Sequence, residues 1–339
     1  MEERIEQDIQ AALESSRSNL ETWLQTTPPA KQAQLLGTAD PSAVKEHLHV
    51  VETSLGKLES GKLGVCEVCH EGVDTPLLMM DYTSCICLGH FSEPELRALE
   101  RELEMSQVVQ RALLPQRVPA IDGIETAAFS RPASIVSGDY FDFVRFRDGS
   151  HGFIVADVSG HGVSAGMLMT SLQTAFQTLA PETSSPTDVL ERLNRLYLHN
   201  INFTTFVTIF FGQYHPATRM FTYANAGHNS GFLYRPSKME EIWLHPTGPA
   251  IGLTEGRTAG AEQLPLHPGD HLVLYTDGVT EAASPQGEPF GEDRLAEAVR
   301  RSSGSSPEVM LQAILSSLTD FAKVPELADD ATLVILKAG

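Results

Sequence analysis

Four short aspartate-bearing segments, each at the edge of an apolar strand-like run, are the sequence feature that most constrains the fold of this chain. They are residues 137–140, 156–162, 275–278 and 329–332, spread over nearly two hundred positions. Carboxylates at strand ends beside small residues can converge without other side chains crowding between them. Several carboxylates in one site repel each other strongly unless divalent cations share it. The pattern therefore predicts a sheet-based fold with a hard-metal centre, and so hydrolytic chemistry.

The composition limits the classes of function. With 339 residues, of which 42% are hydrophobic, two or three packed modules are expected. The net charge of −20 disfavours nucleic acid and anionic membranes as partners, because both need a basic face. No apolar stretch reaches the roughly 18 residues of a membrane span. The N-terminal sequence MEERIEQDIQ predicts a charged helix rather than a signal peptide, so we expect a cytoplasmic protein.

The first 117 residues are helical in pattern, apart from a cysteine cluster. Apolar stripes at helical spacing predict a helical hairpin over residues 1–61, packed on itself or paired as a dimeric coiled coil. A linker helix is predicted within 93–117 and stops at Pro115. Ser106 and Gln110 interrupt its apolar seam, which is typical of a helix that can be repositioned. We expect a homodimer through the N-terminal and linker helices.

Residues 118–339 have the pattern of short strands, tight turns and paired helices. Strands are predicted at 139–146, 152–158, 205–214, 219–225, 231–235, 242–245, 270–275 and 331–336, and helices at 163–179, 187–199, 292–302 and 307–323. Strands joined by hairpins, with helices grouped in pairs, indicate an α+β layered fold rather than an alternating parallel one.

All four cysteines fall within 22 positions, and they are Cys66, Cys69, Cys85 and Cys87. A tight cluster in a chain without secretory features is more typical of a metal site than of a disulfide framework. Two cysteine pairs predict one structural zinc ion, since four protein ligands leave no open position for a substrate. His70 and His90 are nearby substitutes if one cysteine cannot reach the metal, and an oxidant-sensing role for the cluster stays open.

A resemblance supports the zinc prediction. The sequence LESGKLGVCEVC at 58–69, preceded by a helix, resembles the zinc finger of the DksA/TraR family, whose members bind RNA polymerase. We assign this finger to residues 62–92. The second CxxC of that family is replaced here by CxC, and the preceding helices are short, so polymerase regulation is not inferred.

The aspartate segments suggest how a two-metal site would be built. Two divalent ions about 3.5–4 Å apart, sharing a water, need carboxylates that bridge and flank them. Asp157 ends an apolar strand and is the natural bridge, and the glycine-rich turn after it can expose the Val158 carbonyl. Asp277 ends a second apolar strand in the same manner. Asp139 opens the hairpin whose other strand delivers Asp157, so these two are expected side by side.

The order of the motifs then points to a family. SGDYFD at 137–142, ADVSGHG at 156–162, NAGHN at 225–229, YTDGVTE at 275–281, FG at 290–291 and DDAT at 329–332 closely resemble the PPM-type metal-dependent serine/threonine phosphatases of the RsbU/SpoIIE branch. The resemblance covers about residues 105–338. It implies a sandwich of two antiparallel β-sheets flanked by helices, and hydrolysis of a phosphoserine or phosphothreonine on a partner protein without a phosphoenzyme.

The same resemblance implies roles for individual residues. Its catalytic metal site comprises Asp139, Asp157, Val158, Asp277, Asp329 and Asp330. Asp157 would bridge two Mn²⁺ or Mg²⁺ ions, with the Val158 carbonyl on one of them. Asp277 and one of the pair at 329–330 would hold the second ion, and we favour Asp329. His161 beside the metal turn is a candidate proton donor, while Asp142 is expected to support the site from behind.

Two functions are therefore carried forward. The first is a protein phosphatase whose N-terminal module acts through the linker helix, with a phosphorylated anti-sigma-factor antagonist as the expected substrate. The second is a DksA-like partner- or polymerase-binding protein that carries an inactive phosphatase scaffold. Retention of every acidic position favours the first, because an inactive scaffold need not keep them.

Overall fold

The computed structural model describes residues 42–66, 68–71, 73, 88–90, 92–133, 135–160, 162–183, 185–200, 206–253, 259–323 and 329–339, with scattered helical residues between Ile9 and Gln25. Cys85, Cys87 and His161 lie outside these ranges. The chain divides into an N-terminal unit that ends at Glu102 and a second unit that begins at Leu103. No helix in the described part of the chain is both long and apolar enough to span a membrane.

In the N-terminal unit, helix α1 spans Ser42–Glu59. It ends because Gly61 takes a left-handed conformation with φ of 65°. The Lys62 amide then donates to Lys57 O at 2.7 Å and the Gly61 amide to Leu58 O at 2.9 Å, the pair of bonds that defines a Schellman motif. One small buried cluster joins this helix to the preceding segment, and it comprises Ile9, Leu13, Val51, Leu55, Leu58 and Leu63. The hairpin over 1–61 stays a prediction, since its connecting loop lies outside the described residues.

Helix α2 spans Glu93–Leu113, and the carbonyl of Ser92 accepts the amide of Leu96 in its first turn. It ends two residues before Pro115, where the sequence places a stop. While the phosphatase-domain start at residue 118 stays a prediction, the second compact unit begins within this helix, at Leu103. The reason is that the last turns of α2 bond to the body of that unit through Gln110.

Ten strands and five helices follow in the described part of the second unit. They are β1 Ile124–Arg131, β2 Asp139–Arg145, β3 His151–Val158, α3 Gly162–Leu179, α4 Pro186–Asn200, β4 Val207–His215, β5 Met220–Ala226, β6 Gly231–Arg235, β7 Glu240–Leu244, β8 Glu262–Pro265, β9 His271–Tyr275, α5 Asp277–Thr280, α6 Gly291–Arg301, α7 Pro307–Ala322 and β10 Ala331–Ala338. Short 3₁₀ turns occur at Leu88–His90 and Ala180–Glu182.

The strands form two five-stranded sheets. Sheet I has the order β1-β10-β9-β6-β7 and sheet II the order β2-β3-β4-β5-β8. All the paired strands run antiparallel. The two sheets bury one apolar cluster between them, while α3 and α4 cover the outer face of sheet II and α6 and α7 that of sheet I. The predicted α+β sandwich of two antiparallel sheets flanked by helices is thus confirmed.

The layering explains why the strands carry continuous apolar runs. Along β3, Phe153 and Val155 face the inter-sheet core, whereas Ile154 and Ala156 face the cluster under α3 and α4. Both faces of such a strand are buried, so alternation between polar and apolar residues disappears. Strand β3 is therefore a rigid support, and its end is where Asp157 stands.

The structure also contains elements that the sequence did not predict. Strand β1 pairs with β10 over its whole length, and β8 adds a short edge to sheet II. The sequence of β1, IETAAFSR, lacks the dense β-branched and aromatic residues that mark a strand. Strand β8, EQLP, is largely exposed and consists of weak strand formers. Each is therefore held by its partner strand and not by its own propensity.

Candidate metal centre

The first two aspartates of the centre are brought together by a hairpin. Asp139 opens β2, Asp157 lies near the end of β3, and the strand register pairs them directly. The turn between the strands is fixed by Asp148, which accepts the Ser150 amide at 2.9 Å and the Ser150 hydroxyl at 2.6 Å. Both carboxylates therefore stand at one end of sheet II, as the sequence predicted.

The Asp139 carboxylate is held from the other sheet. Its Oδ2 accepts the hydroxyls of Thr276, the residue after β9, and of Thr332, the second residue of β10, each at 2.7 Å, and both strands belong to sheet I. Its Oδ1 has no hydrogen-bond donor among the described residues, although Asp139 is only 1% exposed. A buried carboxylate oxygen without a donor is costly unless a cation or an ordered water meets it.

Asp277 and the pair at 329–330 complete the group from sheet I. Asp277 opens the short helix α5 directly after β9, and Asp329 and Asp330 directly precede β10. The two segments touch closely, because a Cβ added to Gly278 would lie only 2.1 Å from Asp330 O. Glycine at position 278 is thus what lets the Asp277 turn pack against the 329–330 segment.

Asp329 and Asp330 differ in burial and in hydrogen bonding. Both oxygens of Asp330 accept backbone amides, from Ala133 and from Gly138, each at 2.8 Å, and the residue is buried. Asp329 is exposed, and its Oδ1 accepts the Asp330 amide at 2.8 Å. Asp330 is therefore committed to holding the segment that leads into Asp139, which leaves Asp329 as the better candidate ligand of the two.

The Val158 carbonyl lies close to this group. A Cβ added to Gly138 would be 3.0 Å from Val158 O and 3.6 Å from Asp157 Oδ1, so Gly138 has room for no side chain between them. The turn after β3 needs positive φ at Gly160 and Gly162, 99° and 74° respectively, which glycine adopts without strain. This turn allows β3 to end beside the carboxylates.

The electrostatics of the group favour a cation. Burial, and then the charges of Asp277, Asp329 and Asp330, raise the pKa of Asp157 to about 7. Burial, followed by the charges of Asp329 and Glu281, raises the pKa of Asp277 to about 6. The pKa of Asp139 is raised well above its ordinary value by burial and by Asp157. Crowded carboxylates with raised pKa values match the hard oxygen donors that Mg²⁺ and Mn²⁺ prefer.

Two other residues of the predicted motifs make hydrogen bonds outside the carboxylate group, and the supporting role expected of Asp142 stays a prediction. Asp142 faces helix α3, where its Oδ2 accepts Tyr140 Oη and Gln177 Nε2, both at 2.5 Å. Asn225 Oδ1 accepts the His228 amide at 2.8 Å and so shapes the turn after β5. Thr276, Thr332 and the Ser137 contact of Gln110 were not predicted, because such bonds join segments that only the stacked sheets bring together.

The cysteine cluster lies in the N-terminal unit. The ligand atoms of Cys66, Cys69 and His90 lie within 4.8 Å of one another. Cys85 and Cys87 fall in the part of the chain that is not described, so their predicted role as zinc ligands stays a prediction.

Comparisons with known proteins agree with this geometry. The family model for stage II sporulation protein E (SpoIIE) matches residues 147–339. Phosphoserine phosphatase RsbU of Bacillus subtilis (strain 168) is 33% identical over 240 residues, which are 70% of this chain and 70% of RsbU. Phosphoserine phosphatase RsbP of the same organism is 26% identical over 242 residues, 70% of this chain and 58% of RsbP.

Solved structures share the fold. The SiaA-PP2C domain of Pseudomonas aeruginosa matches 72% of this chain and 98% of its own length, with a TM-score of 0.65 at 22% identity. The RsbU and RsbW domains of Rv1364c from Mycobacterium tuberculosis match 67% of this chain and 63% of theirs, with a TM-score of 0.57 at 24% identity. The chain therefore belongs to the SpoIIE family, as a PP2C-type (PPM-type) serine/threonine phosphatase of the RsbU branch.

Proposed function

We propose that this enzyme removes phosphate from a serine or threonine of a regulatory partner protein, using two Mn²⁺ or Mg²⁺ ions. The observation that carries the proposal is that Asp139, Asp277 and Asp329, from both sheets, lie near enough to Asp157 to interact with it. Asp139 Oδ1 is also buried and has no hydrogen-bond donor among the described residues. The ligands would be the carboxylates of Asp139, Asp157, Asp277 and Asp329, with the Val158 carbonyl. Of the relatives, RsbX was solved in complex with magnesium.

The residues of the chain have distinct tasks in this reaction. Divalent ions held here would lower the pKa of a bound water, so that it can attack phosphorus near neutral pH. Asp157 pairs with Asp139 in the strand register and interacts with the charges of Asp277 and Asp329, which supports the proposal that it would bridge the two ions. Thr276 and Thr332 fix the Asp139 carboxylate before any ion binds, so less ordering is needed at the moment of binding.

The accessibility of the site suits a protein substrate. Asp139 is buried, Asp157 and Asp277 are half-buried, and Asp329 is exposed. The centre thus opens toward solvent on the Asp329 side, where a phosphorylated side chain on another protein can reach it. Because RsbU and RsbP are named phosphoserine phosphatases, we expect a phosphoserine protein as the substrate. The phosphorylated anti-sigma-factor antagonist that the family resemblance implies stays our proposed substrate.

The test compares two aspartates of the same hairpin. Asp157→Asn should lower Mn²⁺-dependent hydrolysis of p-nitrophenyl phosphate and of a phosphoserine protein by at least about a thousandfold. Asp148→Asn, in the exposed turn, should leave the rate within about twofold, because the amide oxygen of asparagine can still accept both Ser150 hydrogen bonds and the turn lies at the opposite end of the hairpin from Asp139 and Asp157. Absence of metal-dependent turnover in the wild type would favour the alternative, a partner-binding protein with an inactive scaffold.

Regulation is proposed to act through α2. Gln110 is buried, its Nε2 donates to Ser137 O at 2.7 Å, and its Oε1 accepts the Ser137 amide at 2.8 Å. Ser137 Oγ in turn accepts the Asp139 amide at 3.0 Å. Gln110, which interrupts the apolar seam of α2, thus holds the segment that leads into Asp139, and we call this pair of Gln110–Ser137 hydrogen bonds the clamp. A shift of α2 would move this segment and change metal occupancy.

Dimerisation through α2 also stays a proposal. Met105, Val108 and Val109 expose more than half of their surface on this helix, with fractions of 62%, 59% and 55%. Apolar side chains exposed together are typical of a surface that contacts a partner. We expect replacement of Leu103 and Val109 by charged residues to change activity and oligomeric state while the metal ligands stay intact.

A further inference from the structure

A tight backbone loop in the N-terminal unit holds two cysteines together. The Val73 amide donates to Gly64 O at 2.7 Å, the Cys66 amide to Glu71 O at 2.8 Å and the His70 amide to Cys66 O at 2.9 Å. Gly64 and His70 both have positive φ, 70° and 59°, so the chain folds back on itself within ten residues. We call residues 64–73 the knuckle. It places the side chains of Cys66 and Cys69 on one side of the loop.

A backbone hydrogen bond within the knuckle favours the negatively charged thiolate form of Cys66. The Val68 amide lies 3.4 Å from Cys66 Sγ and donates a hydrogen bond to it. Cys66 is fully buried, with 0% of its surface exposed. A buried thiolate is stabilised by such a bond, and hydrogen bonds to ligand atoms are a common feature around protein-bound metals.

A histidine from a distant part of the chain meets this pair. His90 ends the 3₁₀ turn Leu88–His90, more than twenty positions after Cys66, and its imidazole is exposed. Its ligand nitrogen and the two sulfurs all lie within 4.8 Å of one another. Among the described histidines, cysteines and acidic residues, this trio has the spacing of a metal site, whereas His70 on the knuckle itself does not take part.

We propose that Cys66, Cys69 and His90 are three ligands of a zinc ion. Tetrahedral zinc with Zn–S bonds of about 2.3 Å and Zn–N bonds of about 2.0 Å places its ligand atoms roughly 3.5–3.8 Å apart. The upper limit of 4.8 Å on the separations of the ligand atoms is compatible with this geometry. Two thiolates and an imidazole suit zinc rather than the hard ions of the carboxylate centre. The site therefore differs from a finger with four cysteine ligands.

The ion would also fasten the start of α2. His90 lies two positions before Ser92, whose carbonyl accepts the Leu96 amide in the first turn of the helix. Binding of His90 to the same ion as the knuckle cross-links two segments that the chain otherwise joins through residues 74–87. Since the buried apolar cluster of this unit is small, such a cross-link is expected to matter for its stability.

The experiment uses a matched pair of substitutions in the full chain, His90→Asn and His70→Asn. Asparagine tolerates the left-handed backbone at position 70, so the control does not strain the knuckle. Zinc affinity is measured by chelator competition, and ligand type by visible absorption of the Co²⁺-substituted protein. Thiolate-to-cobalt absorption arises at cysteines and so excludes ions held by carboxylates. His90→Asn should weaken zinc at least about tenfold and shift the cobalt bands, while His70→Asn should do neither.

Two results would overturn the proposal. One is an unchanged affinity and cobalt spectrum in His90→Asn while Cys85→Ser and Cys87→Ser each lose zinc, which indicates four thiolates. The other is absence of thiolate-bound metal in the wild type. Misfolding is checked in the zinc-free state, where circular dichroism of His90→Asn and wild type should coincide. None of these measurements uses phosphatase activity, so failure here is distinguishable from failure of the proposed reaction.

Discussion

The carboxylate centre and the Cys66–Cys69–His90 cluster differ in how the fold brings their potential metal ligands together. The carboxylates come from strand ends of two sheets, separated by up to 190 positions between Asp139 and Asp329, and only the stacked sandwich brings them together. The cysteines stand on one short knuckle, and a single 3₁₀ turn adds the histidine. Hard oxygen donors are thus held by a large scaffold, and soft donors by local turns.

This difference predicts what each metal contributes. Three large buried clusters stabilise the second unit, so its fold does not depend on an ion. The N-terminal unit has a cluster of six buried apolar residues among those described. Metal removal should therefore stop catalysis while leaving the sandwich folded, whereas loss of zinc should loosen the N-terminal unit.

The largest contrast between the two regions is expected from one substitution made in each. Gly278→Ala places a Cβ 2.1 Å from Asp330 O, so the backbone beside Asp277 must move. We expect a loss of about 3 kcal/mol of stability and of most activity. Gly56→Ala, in α1, meets no atom within 4 Å and should stabilise the N-terminal unit by up to about 1 kcal/mol. Thermal unfolding and phosphatase rate measure both, and wild-type behaviour of Gly278→Ala would contradict the close packing seen at the centre.

A second contrast lies within the carboxylate centre, between Asp329 and Asp330. Asp329→Asn should reduce activity at least about a hundredfold with little change in stability, because Asp329 is the proposed ligand and its side chain is exposed. Asp330→Asn should cost about 1–3 kcal/mol, since an amide side chain cannot accept both backbone amides that Asp330 accepts. Urea unfolding and Mn²⁺ titration of both variants separate the two effects. If the losses are exchanged between the variants, Asp330 is the ligand.

The sequence was most informative where local chemistry decides structure. The elements predicted after residue 118 begin and end within two residues of their observed bounds, because apolar runs and turn residues mark both. The pairing of Asp139 with Asp157 followed from a recognisable hairpin. The preference for Asp329 over Asp330 as a ligand came from the family resemblance and stays a prediction. The two amides that Asp330 accepts support it, and they are visible only in the fold.

Contacts between segments that are far apart in the chain could not be predicted from the sequence. Thr276 and Thr332 reach Asp139 across the two sheets, and nothing in their own neighbourhoods indicates a partner more than 130 positions away. His70 and His90 were both named as substitutes near the cysteines, and only the folded chain shows that the His90 ring lies within 4.8 Å of both Cys66 and Cys69. In the sequence, Gln110 is visible only as a polar residue that interrupts an apolar seam. Its hydrogen-bond partner, Ser137, could not be predicted without the fold.

The smallest effect is expected from that clamp, and it tests whether α2 influences the carboxylate centre at all. Gln110→Ala removes two hydrogen bonds to Ser137 and leaves the segment before Asp139 less constrained. At limiting Mn²⁺ the rate should fall about tenfold, the factor that corresponds to roughly 1.4 kcal/mol, and saturating Mn²⁺ should restore it. Gln107→Ala, one turn earlier on the same helix, is the matched control and should keep the wild-type Mn²⁺ dependence. An identical Mn²⁺ titration for both variants would show that the clamp holds the helix in place without affecting metal binding.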